Sequence, residues 1–355
     1  MILFTPGPVP LSEKVKSSLT DLTYQYSKQY SFVLQEIDTL LHSLFSTSHH
    51  IIPCIGSGTS TIELAMQWLN TKNETQLILV NGRFSERWVA MADSLNITKD
   101  VLQAQWGEYV STEQLEAYLQ TKKPHSIWIT HTETSTGITC PLQEYIHIIK
   151  TLSPDTLICI DAVSSIICEE INIGDIDCVC TASQKALAGP PGIGIIFCSA
   201  RAWDYIQQKK RIDPILGLSK DIVEMYHSFK NRIPFFTPPL PIFSGLYSSL
   251  LEISQDFIGY KKALYHQNIY LKKELQLISN YNVSLHNAAG LTVIKCINAI
   301  EIRHILESRY NIMIAPGQQY WSQSYIRIGH MIPYNQSDIS SLLQAFKEMK
   351  VSGVL

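Results

Sequence analysis

A single lysine follows an apolar segment in the stretch TASQKALAGPPG, which runs from Thr181 to Gly192. Burial disfavours a charged ammonium group, so a lysine at the end of a buried strand has a lowered pKa and keeps more of its amine neutral. A neutral amine is a nucleophile that forms a Schiff base with a carbonyl group. On this stretch alone, a solvated lysine in a turn explains Lys185 better. Whether Lys185 is a reactive amine therefore depends on residues elsewhere in the chain.

Polar or aromatic segments follow other predicted strands in the same half of the chain. GSGTS, residues 56–60, opens a predicted helix, where free N–H groups and the helix dipole suit a phosphate. Asp161 ends the apolar run TLICID, where a carboxylate needs a cationic partner. Phe84 in NGRFSERW offers a ring for stacking, and Thr134 and Ser135 in THTETSTGI offer hydroxyl groups. Taken singly, each has an ordinary explanation: a helix cap, a capping carboxylate, a core ring or a polar loop.

The alternation of short apolar strands with amphipathic helices from about Ile51 to Ser199 indicates a parallel sheet covered by helices on both faces. Ligands bind beyond the carboxyl ends of the strands in such sheets. We therefore expect these segments and Lys185 to meet at one edge of one sheet. Their order along the chain matches the needs of pyridoxal phosphate: a phosphate segment, a stacking ring, hydroxyls, a carboxylate for the ring nitrogen and a Schiff-base lysine.

The chain resembles the class V, fold-type I pyridoxal-phosphate aminotransferases, especially the branch of alanine/serine–glyoxylate and 2-aminoethylphosphonate–pyruvate enzymes. The similarity is carried by TPGPVP, GSGT, NGRFSER, HTETSTG, DAVSS, SQKALAGPPG, FFTPP and IRIGHM, which extend over nearly the whole chain. It implies an α/β fold with a large, mostly parallel-sheet domain and a smaller C-terminal α+β domain. The expected limits are 1–20 for an N-terminal arm of the small domain, 21–245 for the large cofactor-binding domain and 246–355 for the small domain.

By this resemblance, the cofactor is pyridoxal 5'-phosphate and its contacts fall on matching positions. The residues expected at its phosphate are Ser57, Gly58, Thr59 and Gln184. The residues expected at its ring are Phe84 for stacking, Ser135 at the ring oxygen, Asp161 at the ring nitrogen and Val163 on the opposite face. Lys185 and Asp161 are the expected catalytic residues.

Two further positions concern the substrate and a second subunit. Arg327 in YIRIG would hold the substrate α-carboxylate through two parallel hydrogen bonds, a geometry that lysine does not copy. Thr237 in FFTPP would reach the phosphate of a neighbouring subunit, which implies a homodimer with shared sites. Two departures from the family pattern leave the substrate open. YQYSKQYSFVLQEI lacks a His-Arg pair, and His330 stands where a small or apolar residue is frequent.

The expected reaction transfers an amino group from a small amino acid, alanine or serine, to a small 2-oxo acid, glyoxylate or pyruvate. The run Gln184 to Leu187 looks like the alanine/serine–glyoxylate branch, whereas FFTPP is closer to the phosphonate branch. A 2-aminoethylphosphonate–pyruvate transaminase therefore stays open as the alternative. A cysteine-desulfurase-like lyase is disfavoured because APGQQYWSQSY, before Arg327, contains no cysteine. A non-catalytic nucleotide-binding module leaves Lys185, Asp161 and Arg327 unexplained.

Composition excludes other classes of function. A net charge of −3 and a pI near 6.4 give no electrostatic case for a nucleic-acid partner. No apolar run approaches the length of a membrane span, and MILFTPGPVP at the start lacks a basic segment followed by an apolar core. The 8 cysteines are typical of the core of a protein from a reducing compartment, and Cys178 with Cys180 lacks a second pair for a metal. We expect a cytoplasmic enzyme without a metal.

The C-terminal part of the chain has a different pattern. The Pro-rich segment RIPFFTPPLPIF predicts a loop or extended arm, followed by a helical stretch from about Gly245 to Ile278. GLTVIKCI, NIMIAPG and YIRIGHM predict strands, with helices near Ala299 to Ser308 and from Ser337 onward.

Overall fold

A seven-stranded sheet forms the centre of the computed structural model, which describes residues 1–21, 23–70, 74–210, 217–279 and 288–354. Its strands, in their order across the sheet, are β2 (His50–Ile55), β10 (Ile193–Cys198), β9 (Cys178–Ala182), β8 (Leu157–Asp161), β5 (Ser126–Thr130), β3 (Gln76–Val80) and β4 (Lys99–Gln103). β10 runs antiparallel to β2 and β9, and the remaining neighbours pair in parallel. The predicted, mostly parallel sheet is confirmed.

Helices cover both faces of this sheet because each carries one apolar face. They are α2 (Lys28–Phe45), α3 (Gly58–Trp68), α4 (Arg83–Ser94), α5 (Thr112–Thr121), α6 (Leu142–Leu152), α7 (Ala200–Lys210) and α8 (Ile222–Asn231), with α1 (Glu13–Ser18) before them. On α3, Ile62 and Met66 are buried, and so is Leu69 directly after its end, as the i, i+4, i+7 spacing of one apolar helix face requires. Two separate apolar cores result, one on each face of the sheet.

A second, four-stranded sheet joins the two ends of the chain. Its order is β1 (Ile2–Phe4), β12 (Ile312–Pro316), β13 (Tyr325–Gly329) and β11 (Leu291–Lys295). β1 runs parallel to β12, and the other two pairs are antiparallel. Three helices supply its core: α10 (Phe257–Ser279), α11 (Ala299–Tyr310) and α12 (Gln336–Val351). A short hairpin of β6 (Thr132–Glu133) and β7 (Ile138–Thr139) follows β5.

The structure differs from the sequence-based expectation in two elements. The helical stretch expected from Gly245 to Ile278 is two helices, α9 (Leu240–Gln255) and α10, separated at Asp256. α9 begins earlier than expected because Pro241 lies in its first turn, where the missing N–H has no intrahelical role. The proposed domain limit between residues 245 and 246 falls inside α9. The edge strand β4 was not expected, because its half-exposed sequence KDVLQ lacks a continuous apolar run.

The described residues contain neither a helix suited to span a membrane nor a cluster suited to hold a metal ion. None of the helices in those ranges combines the length and the apolar character needed to cross a bilayer. In the same part of the chain, no group of 3 or more His, Cys, Asp or Glu side chains is placed to hold a metal ion. The sulfur atoms of Cys178 and Cys180 lie 3.8 Å apart inside the sheet core, as expected for packing residues on one face of a strand.

Candidate active site

Lys185 lies in the turn after β9, pressed against the N-terminal segment of the chain. Its Nζ donates a hydrogen bond to the carbonyl oxygen of Pro6. Gly7 has a φ of +99°, and a Cβ at that position would lie 2.4 Å from Lys185 Cδ, so a side chain there would collide with the lysine. Burial, and then the positive charge of Arg327, lower the pKa of Lys185 to about 8. The amine therefore becomes neutral, and nucleophilic, much closer to physiological pH than an ordinary lysine does.

Asp161 ends β8, beside the β9 strand that leads to Lys185. Its side chain is buried, and Oδ1 accepts the N–H of Val163 at 2.9 Å. Burial, with a smaller contribution from the negative charge of Glu133, raises the pKa of Asp161 to about 7. A cation placed against this carboxyl group would offset the cost of burying its charge. The protonated ring nitrogen of pyridoxal phosphate is such a cation.

Glu133 links two segments of the candidate site and was not among the residues predicted from the sequence. Its buried carboxylate accepts the N–H groups of Phe84 and Ser85, at 2.9 and 3.0 Å, on Oε2. Oε1 accepts the N–H and the hydroxyl of Ser135, at 3.0 and 2.7 Å. Burial raises the pKa of Glu133, while these hydrogen bonds oppose that rise. The carboxylate therefore ties the first turn of α4 to the loop after β5, the two segments that carry the expected ring contacts.

The signal for Glu133 in the sequence was the acidic residue itself, placed among hydroxyl residues in HTETSTG directly after a buried strand. A carboxylate at such a position needs several donors. Of the residues in this segment, only the hydroxyl groups of Thr134 and Ser135 were predicted to contact a ligand.

The two expected ring contacts beside Glu133 are both engaged by protein groups. The Ser135 hydroxyl donates to Glu133 and accepts the N–H of Arg83 at 2.9 Å, so its proton is not directed to a ligand in this structure. Phe84 is partly buried and has the guanidinium carbon of Arg87 4.8 Å from its ring centroid. The ring also packs against one of the two apolar cores of the sheet.

The expected phosphate residues begin α3, at the carboxyl end of β2. Ser57 is exposed and its N–H donates to Ser60 Oγ at 2.8 Å, whereas the N–H groups of Gly58 and Thr59 fall in the first turn, which has no intrahelical acceptors. A Cβ on Gly58 would lie 2.4 Å from Val163 Cγ2, so only glycine fits between the two segments. Val163 and the phosphate segment are thereby brought together.

Gln184, next to Lys185, carries an unsatisfied polar atom. Its side-chain Oε1 is buried and has no hydrogen-bond partner among the described residues. An amide in this state fits a ligand contact better than a packing role, because a buried polar group without a partner is costly. With the free N–H groups of α3, the Asp161 carboxyl and the Lys185 amine, the residues present fit pyridoxal phosphate.

Arg327 joins the small sheet to the loop after β5. It is buried on β13, where Nε donates to the carbonyl of Pro316 at 2.7 Å and Nη1 donates to the carbonyl of Thr134 at 2.9 Å. Burial lowers the pKa of Arg327 to about 10, so the guanidinium stays charged near neutrality. Nη2 makes no hydrogen bond with the described residues and is the group left for a carboxylate.

Thr237 and His330 lie apart from this cluster. Thr237 is exposed shortly before α9, and no hydrogen bond of the described residues links it to Lys185. His330 is buried, with Nδ1 2.6 Å from Asn268 Oδ1 and Nε2 2.8 Å from Thr292 Oγ1. Burial lowers the pKa of His330 to about 3, so the ring is neutral. The unusual histidine is therefore explained by contacts with α10 and β11.

The chain belongs to the class V aminotransferases: it matches the family model described as Aminotransferase class-V over residues 10–342. These are pyridoxal-phosphate-dependent transaminases. The family, the enzyme class and the cofactor expected from the motifs are confirmed.

Individual relatives and a solved structure agree with the assignment to the class V aminotransferases. Alanine–glyoxylate aminotransferase 1 of Saccharomyces cerevisiae is 28% identical, with 93% of this chain and 91% of the relative aligned. A 2-aminoethylphosphonate–pyruvate transaminase of Bacillus thuringiensis is 26% identical, over 99% of this chain and 98% of the relative. The structure of ureidoglycine–glyoxylate aminotransferase from Bacillus subtilis superposes with a TM-score of 0.90 at 20% identity, covering 99% of this chain and 93% of that one. The fold-type I architecture is thus confirmed.

Proposed function

We propose that the enzyme transfers the amino group of a small amino acid, alanine or serine, to a small 2-oxo acid, glyoxylate or pyruvate. The observation that carries this proposal is the fixed guanidinium of Arg327. Two carbonyl groups hold it, at 2.7 and 2.9 Å, and leave Nη2 for an α-carboxylate. Every α-amino acid and 2-oxo acid carries such a group, and arginine binds it with a planar geometry.

When bound, pyridoxal phosphate supplies an aldehyde that takes up the amino group and a ring that accepts the electrons released when the substrate Cα loses its proton. Lys185 would hold the aldehyde carbon through Nζ. As a neutral amine, Nζ would take the proton from the substrate Cα and later return it. Asp161 keeps the ring nitrogen protonated, and Arg327 orients the substrate. The lowered pKa of Lys185 suits this role, because a base works best when its pKa lies near the working pH.

The remaining cofactor residues are proposed to bind rather than react. Ser57, Gly58, Thr59 and Gln184 hold the phosphate at the start of α3. Phe84 and Val163 would hold the two faces of the ring, and Ser135 would contact its oxygen. For Ser135 this contact requires its hydroxyl proton to leave Glu133, because the two are hydrogen-bonded at 2.7 Å.

A homodimer with shared sites is the proposed assembly. Tyr24, Tyr26 and Phe32 have exposed aromatic side chains, and Tyr26 and Phe32 line a surface cavity together with residues 231–233, a few positions before Thr237. Such an apolar surface supports a partner contact there. In that assembly Thr237 would reach the phosphate bound by the other subunit. Sedimentation velocity on the wild type tests the dimer. Mixing Lys185→Ala with Thr237→Glu chains tests the sharing, since hybrid dimers would regain activity that neither parent has.

The second candidate is a 2-aminoethylphosphonate–pyruvate transaminase, favoured by the FFTPP segment before α9. In that reaction Arg327 would serve only the pyruvate half. Stopped-flow spectra of the pyridoxal form mixed separately with alanine, serine and 2-aminoethylphosphonate separate the candidates. Conversion to the pyridoxamine form by alanine or serine supports the first proposal. Conversion by the phosphonate alone contradicts it.

A further inference from the structure

Arg303 carries a guanidinium group for which the described residues provide no acceptor. It lies on α11 and is partly buried, and its Nε is shielded from solvent without a hydrogen-bond partner in the described ranges. It forms no ion pair with a described carboxylate either. A buried donor without an acceptor is costly, so an unpaired arginine at the wall of a cavity indicates a ligand that supplies one.

Arg303 and Arg327 line the same cavity, which has a volume of about 330 Å³. Residues 5–8 form one wall of this cavity and residues 313–316 of β12 form another. The carbonyl of Pro6, in the first wall, accepts the hydrogen bond of Lys185 Nζ. One wall of the cavity is therefore the segment that also contacts the Lys185 amine, and the cavity is large enough for a small organic acid.

The two arginines make this cavity positively charged. Arg303 is close enough for its charge to lower the pKa of Arg327, next to the larger effect of burial. Glu307, one turn later on α11, also lines the cavity, but it is exposed and makes no ion pair with Arg303. Two guanidinium groups that line one cavity repel each other, and an anion bound between them offsets this repulsion. One carboxylate satisfies Arg327 and leaves Arg303 without a partner.

We propose that this cavity binds a dicarboxylic substrate, whose α-carboxylate is held by Arg327 and whose distal carboxylate is held by Arg303. The inference rests on the proposed transaminase function and adds a substrate class to it. Transamination uses one site for two successive half-reactions with different substrates. A small amino acid in one half-reaction is therefore compatible with a dicarboxylic amino acid, or the matching 2-oxo acid, in the other.

Calorimetric titration of the holoenzyme with succinate and with butyrate tests this proposal without turnover. The two probes have the same number of carbon atoms and differ by one carboxylate. The wild type is expected to bind succinate about tenfold more tightly, since a hydrogen bond to a charged group contributes on that order. Arg303→Ala should remove this preference and leave butyrate binding unchanged, whereas Arg303→Lys should keep part of it.

Glu307→Gln is the matched control on the same helix. It removes the negative charge of the cavity, so succinate should bind more tightly while butyrate binding stays the same. This opposite direction distinguishes an anion site from a general loss of structure. Equal affinities for succinate and butyrate in the folded wild type, or a succinate preference that survives Arg303→Ala, overturn the proposal.

The proposed function and this inference can fail separately. If the enzyme transfers no amino group from any donor, yet its preference for succinate depends on Arg303, the dicarboxylate site stands and the proposed function is wrong. If alanine or serine is converted while succinate and butyrate bind equally, the proposed function stands and the dicarboxylate site is wrong.

Discussion

The cofactor end and the substrate end of the candidate active site differ in the kind of charge they hold. At the cofactor end, burial brings the pKa of Lys185 down to about 8 and that of Asp161 up to about 7. Both groups therefore change protonation near neutral pH. At the substrate end, the pKa of Arg327 is still about 10 despite burial. That guanidinium remains a cation throughout the working range.

This difference separates residues that react from residues that bind. Groups whose protonation changes near neutrality can give and take protons, whereas a permanent cation fixes an anionic substrate. Changes to Lys185 or Asp161 should therefore lower kcat, and changes to Arg327 should raise KM. Each prediction below either sharpens this division or breaks it.

Asp161→Asn is expected to give the largest effect. A neutral amide cannot stabilise a protonated ring nitrogen, so kcat should fall by at least about 100-fold. Losses of this order are typical when one preorganised electrostatic contact is removed from an enzyme active site. KM should change little. Steady-state kinetics with alanine as donor measures both. Turnover near that of the wild type would mean that Asp161 serves only to accept the Val163 N–H.

Glu133→Gln should weaken cofactor binding rather than slow turnover of the loaded enzyme. The amide NH2 replaces one carboxylate oxygen and faces an N–H donor of either Phe84 or Ser135, which leaves a buried donor unpaired. The expected loss is about 1–3 kcal/mol, seen as a raised Kd for pyridoxal phosphate and a lower Tm of the cofactor-free protein. Glu133→Asp, which keeps the charge, should recover part of the loss. An unchanged Kd would show that the carboxylate does not position the ring contacts.

Arg327→Lys should raise KM for the amino acid and its 2-oxo acid by about tenfold, because a lysine cannot both replace the hydrogen bonds to Pro316 and Thr134 and present a donor at the position of Nη2. We expect kcat to stay within a few-fold of the wild type. Initial rates over a range of donor concentrations measure the split. A fall in kcat at unchanged KM would place Arg327 with the reacting groups and break the division between the two ends.

The pH dependence of cofactor attachment is expected to show the smallest effect. Lys185 attacks the aldehyde as the neutral amine, so the attachment rate should rise about fivefold from pH 7 to pH 8 and level off above pH 9. The positive charge of Arg327 lowers the pKa of Lys185. Arg327→Gln removes that charge, so the increase in attachment rate should occur at a higher pH. Absorbance of the cofactor after mixing with cofactor-free protein follows the rate. A rate that keeps rising up to pH 10 would indicate an ordinary lysine.

Much of the cofactor end could be predicted from the sequence because its residues directly follow strands. Asp161 ends β8 and Lys185 lies in the turn after β9, so an apolar run followed by a polar turn identifies both. Glu133 follows the same pattern, but its partners at the start of α4 lie 49 residues earlier along the chain. The sequence pattern gives no sign of that pairing.

The substrate end depends on contacts between distant parts of the chain. β1 pairs with β12 although 310 residues separate Ile2 from Ile312, and this pairing places residues 5–8 beside Arg327. Arg303 lies on the partly exposed side of an amphipathic helix, where an arginine is ordinary. Only the fold shows that it lines the same cavity as Arg327. Substrate identity is harder to predict than the reaction type for this reason.

Borohydride reduction of the holoenzyme, followed by peptide mass mapping, tests the assignment of Lys185 most directly. Reduction makes the bond between the cofactor and its lysine permanent. The cofactor mass should be found on the peptide that contains Lys185, and Lys185→Ala protein treated in the same way should carry none. A label on any other lysine, or a label retained by the Lys185→Ala protein, would contradict the account.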